Sequence, residues 1–342
     1  GLYLYTDQGQ VFGPYTGRGP LGNGSFDSNT LAGDTITLQL RQVGQATERN
    51  LRQARFQIKG LGHIRPRLMA GQCDYNASCV ENASCATLDN AVNDAETAVA
   101  HMLFRSGGGY YICSGGLIAD NDDSNNMPLF LTANHCISRG REANSLENFF
   151  DFKTSGCNQS LCDAQYEQLR SSLSRTVGAS IVSTGRDADY TLLRLSQVPD
   201  GNMRAYLGWD STPVAFSDGA KLFRISHPSG APQSYSEHEV DASGPTCLSW
   251  PRGDRIYSRD TLGATEGGSS GSPVVNGAGM VVGQLSGACG TNLNDECDPV
   301  SNATVDGAFA AYFSAVAQYL DPDSCTTTET SEQSCNDGLD ND

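Results

Sequence analysis

The chain has 342 residues, 38% hydrophobic and 18% charged, a balance that fits a folded protein with a large core and excludes a disordered chain or a minimal scaffold. With 39 acidic and 22 basic residues, its net charge of −17 argues against nucleic acid or an anionic membrane as the main partner. The charge is uneven: residues 1–70 carry eight Lys/Arg and four Asp/Glu, whereas residues 260–342 carry 13 acids and no Lys, Arg or His.

Twelve cysteines, an even number, occur without a zinc-ribbon or C2H2 spacing, so disulfides in an oxidising compartment are the expected reading and no metal site is assigned. Residue 1 is Gly, and no apolar run reaches the ~18–20 residues that span a bilayer. The expectation is a secreted protein whose signal peptide has been removed. Five Asn-x-Ser/Thr sequons occur, at Asn23, Asn76, Asn82, Asn158 and Asn302.

In chain order, Thr35–Leu40 alternates apolar and polar residues, and Ala54–Ile58 follows the same period; both read as half-buried strands. Thr87–Phe104 reads as a helix that turns into a strand near its end. Short strand-like runs follow at Tyr110–Ile118, Leu129–Thr132, Tyr190–Leu195, Lys221–Ile225, Pro273–Val275 and Met280–Leu285, with Gly, Asn, Asp and Ser between them. Short strands at close spacing without alternating helices imply an antiparallel all-β barrel or sandwich. A last helix is expected at Ala308–Leu320, stopped by Pro322. The Thr/Ser/Glu/Asp-rich stretch after it has no periodicity and reads as a tail.

Three local patterns carry chemistry. Leu131-Thr132-Ala133-Asn134-His135-Cys136 sets a His at the end of an apolar strand. Asp187-Ala188-Asp189-Tyr190-Thr191-Leu192-Leu193 sets an acid at the start of one. Gly267-Gly268-Ser269-Ser270-Gly271-Ser272-Pro273 sets a Ser in a glycine-rich turn. Acyl transfer needs these types: a His to deprotonate Ser, a carboxylate to fix the His tautomer, and glycines that let backbone N–H groups converge on an oxyanion. Each pattern alone is ordinary. Their conjunction in the order His, Asp, Ser is the chymotrypsin order.

These blocks resemble those of the chymotrypsin-like serine proteases, and within them the secreted bacterial branch that includes lysyl endopeptidases. The resemblance covers about residues 71–322. It implies two antiparallel six-stranded-type β-barrels with a C-terminal helix and an N-terminal β extension, divided as residues 1–66, a protease domain at 67–322 and an acidic tail at 323–342. It implies Ser270 as nucleophile, His135 as general base then acid, and Asp189 as the orienting carboxylate. Backbone N–H groups of Gly268 and Ser270 would form the oxyanion hole, with Ser286 supporting Asp189. Ser269 and Ser272 fit the nucleophile position less well than Ser270. The expected protein is a secreted monomeric endopeptidase that acts on proteins or peptides and needs no cofactor for catalysis. The rivals are a non-catalytic protease-like binding protein and a protease held latent by its N-terminal segment.

The resemblance also implies the disulfides Cys113–Cys136, Cys73–Cys289 and Cys79–Cys157. The remaining six cysteines allow fifteen pairings, of which Cys85–Cys162, Cys247–Cys297 and Cys325–Cys335 are the set expected here. Two departures from the animal enzymes stand out. Ser269 replaces the Asp that pairs with a freed N-terminus, so the binding pocket must form without that switch. Ala264 replaces the trypsin-type pocket acid. A basic P1 preference would then need another acid in the pocket, while Ala264 and Gly287 leave room for a small or apolar P1 as the alternative. Asp306 is the first candidate and Asp295 and Asp298 are the alternatives. Only Lys59, Lys153 and Lys221 are Lys, which would limit self-digestion by a Lys-cutter, although an Arg-favouring genome explains the same count. Residues 1–66 are read either as a retained pro-region or as a small docked β unit, in both cases leaving the active site open, with Arg67-Leu68 as a processing point. Cys335–Asp342 resembles the start of an Asp/Gly-rich calcium repeat, which makes calcium a candidate ligand of the tail.

Overall fold

A computed structural model describes residues 1–42, 44, 47–48, 55–64, 76–85, 90–121, 127–157, 173–199, 204–247 and 249–321. At the N-terminus, β1 (Leu2–Thr6) lies between β2 (Val11–Tyr15) and β3 (Ile36–Leu40) in a three-stranded antiparallel sheet. β4 (Glu81–Asn82) and α1 (Asn90–Ala98) follow. The first large sheet uses β5 (Val99–Ser106), β6 (Gly109–Leu117), β7 (Leu129–Ala133), β8 (Glu147–Phe150), β9 (Arg175–Val177), β10 (Ala179–Gly185) and β11 (Tyr190–Leu195), with the short α2 (Gly140–Asn144) before β8. The second uses β12 (Lys221–Ser226), β13 (Ser234–Val240), β14 (Arg255–Leu262), β15 (Pro273–Asn276), β16 (Val281–Gly290) and β17 (Asn302–Ala308), and α3 (Phe309–Leu320) ends the described chain.

The strand order of the first sheet is β10-β11-β7-β6-β5-β8-β9. Its two end strands are consecutive in the chain, separated only by Gly178 at φ 80°. The sheet therefore curls until one bent segment serves both of its ends. The second sheet runs β12-β15-β16-β17-β14-β13 and closes through the pairing of β12 with β13, with β4 added outside β13. This six-stranded ring is a closed barrel and the curled seven-stranded sheet forms a half-barrel, which together are the barrel pair that the resemblance implies.

β7 (Leu-Phe-Leu-Thr-Ala) is wholly buried, and β11 (Tyr-Thr-Leu-Leu-Arg-Leu) is buried except at Arg194. Such strands belong at the centre of a sheet covered on both faces. α3 packs back on this core: the Tyr312 ring stacks on Tyr190 with centroids 4.0 Å apart, and Phe309 and Phe313 pack on Trp209.

The N-terminal sheet docks on the first barrel through polar bonds. Buried Glu147 accepts from the Asn29 side chain (3.1 Å), the Thr30 N–H (2.9 Å) and the Thr30 hydroxyl (2.5 Å). Arg175 donates to the Thr30 carbonyl and lies over the Phe12 ring.

Several expectations need correction. In Ala54–Ile58, the described residues 55–58 form no strand, and Phe56 and Ile58 stay half exposed with no strand partner among the described residues. β13 (Ser-Tyr-Ser-Glu-His-Glu-Val) escaped detection because its buried face carries Ser236 and His238 instead of apolar residues. Cys113 and Cys136 are bonded to each other, but Cys289 pairs with Cys247, Cys79 with Cys297 and Cys85 with Cys157. The expected Cys73–Cys289, Cys79–Cys157, Cys85–Cys162 and Cys247–Cys297 bonds are therefore replaced. Cys289 on β16 meets Cys247 beside Tyr257 and Val305, and the segment carrying Cys79 runs to the loop before β17. Cys325–Cys335, the Arg67-Leu68 point and the calcium-like tail lie outside the described residues.

Inside the second barrel, Arg224 of β12 and Asp306 of β17 form an ion pair at 2.6 Å with both side chains fully buried. Arg224 also donates to the Ser272 carbonyl and hydroxyl. Removing one member strands the other charge in a low-dielectric interior. Asp306→Ala is expected to cost roughly 3–5 kcal/mol of stability, read as a lower denaturant midpoint. An unchanged midpoint would show that Arg224 finds another counter-charge.

Candidate active site

Antiparallel register brings the first two chemical groups together. β11 pairs with β7 so that Tyr190 opposes Ala133. The next residues outward are Asp189 on one strand and Asn134-His135 on the other. The Asn134 N–H donates to the Asp189 carbonyl at 2.9 Å. Asp189 Oδ1 accepts the His135 backbone N–H at 2.9 Å, and Oδ2 lies 2.7 Å from His135 Nδ1. Nδ1 therefore carries the proton toward the carboxylate, and Nε2 faces away as the acceptor. The Asp189 side chain is 11% exposed and that of His135 43%.

The turn that carries Asp189 is held from the second barrel. Gln284 Nε2 donates to the carbonyls of Ala188 (3.0 Å) and Asp189 (3.1 Å), and its Oε1 accepts from the Tyr312 hydroxyl at 2.6 Å. Burial pushes the Tyr312 phenol well above its ordinary value and keeps it a donor. Arg255 donates to the carbonyls of Asp187 and Arg186. Asp189 sits at φ 53°, a left-handed conformation that these bonds stabilise. Gln284, Tyr312 and Arg255 had no local signal in the sequence, since each acts through a contact distant in the chain.

Ser270 lies at the seam between the barrels. Its carbonyl accepts the Ser114 N–H of β6 at 2.8 Å, and the next N–H, of Gly271, donates to Leu285 of β16 at 2.8 Å. Cys136 Sγ, bonded to Cys113, lies 3.7 Å from the Ser270 carbonyl. The disulfide thus sits between the His135 strand end and the Ser270 turn. Cys113, His135 and Cys136 cluster within 4.8 Å, but both sulfurs are in the disulfide, so no thiolate is offered to a metal. No hydrogen bond joins His135 to the Ser270 hydroxyl in this structure. Such bonds are often loose in free enzymes.

The N–H groups of Gly268 and Ser270 have no acceptor among the described residues. Planar trans peptides fix their direction, because N–H and C=O of one unit point opposite ways. The Gly267 carbonyl accepts from Ser229 N–H at 2.6 Å, which turns the Gly268 N–H the other way. The Ser269 carbonyl accepts from Ser272 N–H at 3.0 Å, which does the same for Ser270. The Ser114 hydroxyl donates to the Gly268 carbonyl at 2.9 Å. Gly268 has φ 101°, and a Cβ there would meet the His227 carbonyl at 2.9 Å, so only glycine fits. Ser269, where the animal enzymes have Asp, is fully buried and its Oγ accepts from the Ser226 hydroxyl at 3.1 Å.

A cleft of about 630 Å³ is lined by Asn134, His135, Ser138, Arg139, Arg186, Asp189, Trp250, Arg255 and Ser286. Ser286 is in this wall, but its buried hydroxyl bonds no group among the described residues. The support expected of it is supplied by His135 N–H and Gln284. Of the expected pocket residues, Ala264 is buried, Gly287 faces the Trp250 ring, and Asp306 is held by Arg224. A narrow recess of about 40 Å³ lies instead between Thr265 of the Ser270 turn, Ala288 two residues past Ser286, and Thr304 of β17. Asp260, Glu296 and Asp298 line it. His238 Nδ1 lies 2.7 Å from Asp260 Oδ1, His238 Nε2 lies 2.8 Å from the Ser236 hydroxyl, and Thr304 donates to the same Oδ1 at 2.7 Å. Burial alone would raise the Asp260 pKa, but the His238 bond and charge, with Thr304 and Arg224, bring it below the usual carboxylate value. Side-chain bonds from Asn292 and Ser301 bring Asp298 down to about 2, whereas Asp295 is exposed outside the recess. In the sequence Asp260 is only one of many acids, because its partner His238 lies 22 residues away on a strand without apolar alternation.

The two barrels, with these groups at their seam, define the chymotrypsin-like architecture. A profile of the lysyl endopeptidase C-terminal domain matches residues 69–300, and the chain belongs to that family. It is 29% identical over 318 residues to a lysyl endopeptidase of Pseudomonas aeruginosa, covering 88% of this chain and 64% of that protein. The chain thus spans less than two thirds of that relative's length. It is 25% identical over 274 residues to a protein named secreted RxLR effector protein 73 of Plasmopara viticola, covering 76% of this chain and 63% of that one. Solved structures with a similar trace include the active form of the Rv3671c protease of M. tuberculosis, with TM-score 0.44, 16% identity, and 71% of this chain and 90% of that one covered. Another is the HtrA-type protease AlgW with a tripeptide, with TM-score 0.47, 15% identity, and 68% of this chain and 62% of that one covered.

Beside the Gly268 turn, His227 is completely buried, and its Nδ1 lies 2.9 Å from the Ala231 carbonyl. Burial pushes its pKa down to about 4, partly opposed by that bond. An unfolded His takes up a proton near pH 6.5, so the unfolded chain binds more protons between pH 6.5 and 4. Stability should fall as pH drops through that window, by about 3 kcal/mol from this residue, and level off below it. His227→Asn, which keeps the donor toward Ala231, should flatten that part of a stability–pH curve. An equal slope in variant and parent would assign the acid sensitivity elsewhere.

Proposed function

We propose that the chain is an extracellular serine endopeptidase that cleaves through a Ser270–His135–Asp189 triad and prefers a basic P1 residue. The observation that carries the chemistry is the His135–Asp189 pair at 2.7 Å beside a turn whose Gly268 and Ser270 N–H groups have no acceptor among the described residues. Residues 67–322 act as the protease unit in this reading, and residues 1–66 as a docked accessory. Membership of the family, the barrel pair and the four disulfides among the described residues support it.

In the proposed cycle the Ser270 hydroxyl attacks the scissile carbonyl while His135 Nε2 takes its proton. The C=O electrons move onto the oxygen, which the Gly268 and Ser270 N–H groups stabilise. Collapse expels the amine, which takes the proton from His135, and leaves an acyl-enzyme. Water, deprotonated by His135, then releases the acid and restores Ser270. Asp189 holds the His135 ring through Nδ1 and stabilises the imidazolium. Asp260 takes the place of the missing trypsin-type acid: it lies in the recess next to the Ser270 turn and is held as a carboxylate. The described N-terminal residues bond to Glu147, Arg175 and Arg105, and among the described residues none of them bonds to His135, Asp189, Ser270 or Ser286, which speaks against a plugged, latent form.

Ser270→Ala should abolish labelling by a serine-directed fluorophosphonate and lower turnover by ~10⁴–10⁶. Labelling that persists in the variant would place the nucleophile elsewhere, and none in the parent would favour a non-catalytic protein. On a peptide library, the parent should cut after Lys or Arg. Asp260→Ala should lower kcat/KM for those sites roughly thirtyfold or more, with apolar P1 sites nearly unchanged. A parent profile of apolar or acidic P1 residues would overturn the specificity.

A further inference from the structure

Glu266 lies four residues before Ser270, in the same turn. Its carboxylate gathers three donors from two other segments. Oε1 accepts the backbone N–H of Ala77 at 2.5 Å. Oε2 accepts the Asn76 side-chain amide at 2.8 Å and the Ser229 hydroxyl at 2.7 Å. The Asn76 amide donates a second time, to the Pro228 carbonyl at 3.2 Å. Its own backbone closes the turn, because the Glu266 carbonyl accepts the Ser269 N–H at 3.0 Å.

We propose that Glu266 is the positioning residue of the oxyanion turn, fixing it by clamping Asn76-Ala77 and Ser229 against the chain that leads to Ser270. The inference rests on the serine-protease reading and adds the device that holds its oxyanion donors. The coupling is short and physical. Glu266 holds the Ser229 hydroxyl, and the Ser229 N–H holds the Gly267 carbonyl at 2.6 Å. That carbonyl sets the direction of the Gly268 N–H through one planar peptide. Ser229 is itself at φ 53°, a conformation that needs such outside support. At its other end, the Asn76-Ala77 segment is tied by Cys79–Cys297 to the loop that carries Glu296 and Asp298 of the recess. One strap therefore spans the oxyanion turn and the recess wall. Ser269 is too short and uncharged to supply the carboxylate anchor that the animal enzymes place there. Glu266 supplies one three residues earlier, with backbone and amide donors in place of a freed N-terminus. The Asn76 sequon has a structural use, and a glycan on Nδ2 would displace one or both of its bonds.

The test uses the full chain, with active sites first counted by fluorophosphonate labelling of the parent. Glu266→Ala should lower kcat on a short peptide amide about tenfold to hundredfold with KM changed less than about threefold. The inhibition constant of a peptidyl boronate, which mimics the tetrahedral oxyanion, should rise in parallel with the loss in kcat/KM. Glu266→Gln keeps an acceptor for Ala77 N–H and should recover part of the loss. A kcat within about threefold of the parent, or equal losses in Ala and Gln variants with no change in boronate affinity, would overturn the proposal. If Glu266→Ala does not fold, Glu266→Gln and Asn76→Ala carry the test, and unchanged kcat in both would overturn it. A parent that fluorophosphonate does not label would instead sink the protease reading itself.

Discussion

The hydrogen bonds from Gln284 to the carbonyls of Ala188 and Asp189 join a strand of one barrel to the Asp189 turn of the other. The proposed chemistry depends on this join, because neither barrel holds a complete site. β7 and β11 deliver His135 and Asp189, and the turn before β15 delivers Ser270 and Gly268. Two rigid sheets that could slide by an ångström would leave the groups misaligned, and such a displacement is costly to turnover. Tyr312 fixes the far end of Gln284, and Tyr312 is itself stacked on Tyr190, the residue after Asp189. The C-terminal helix thus stiffens the turn that carries the carboxylate. Ser114 and the Cys113–Cys136 bond secure the opposite edge of the seam.

Buried polar groups in the second barrel are arranged so that each acid has a distinct role. Asp306 is neutralised by Arg224 in the barrel interior. Glu266 is satisfied by three neutral donors. Asp260 is held by His238 and Thr304 at the rim of the recess, with 14% of its side chain exposed. These three of the 13 acids in residues 260–342 therefore do not belong to one diffuse acidic surface. A fully desolvated ion pair strengthens nothing in a substrate cleft, whereas a partly exposed carboxylate whose partner is a buried His can still receive a cation.

What was legible in the sequence follows from the range of the interactions. β7 and β11 were visible because burial on both faces leaves continuous apolar runs. His135, Asp189 and Ser270 were visible because each has local company: a strand end, a strand start and a glycine turn. β13 was not, because a barrel interior that holds Ser236 and His238 breaks the alternation that marks a strand. The disulfide map was mostly illegible, since loop closure imposes few constraints on which cysteine meets which. Cys79–Cys297 joins residues 218 apart, and only the packing of the strap against the second barrel selects it. The place of Asp306 on the wall strand makes it a pocket acid by pattern alone. Side chains alternate along a strand, and position 306 points inward to Arg224 while Thr304, two residues earlier on the same face, bonds Asp260 at the recess.

The missing activation Asp at Ser269 takes its meaning from the strap. A carboxylate at position 269 would be fully buried, next to the Ser226 hydroxyl. An unpaired charge there would cost more than its hydrogen bonds return. Placing the acid at Glu266 moves it to a half-buried site where the donors are a backbone N–H, an amide and a hydroxyl. None of these donors titrates, and none depends on a new chain end. An oxyanion turn built this way is ordered by the fold of the strap itself. Control over activity, where it exists in this chain, would then have to act on substrate access or on the recess, and not on the geometry of the Gly268 peptide.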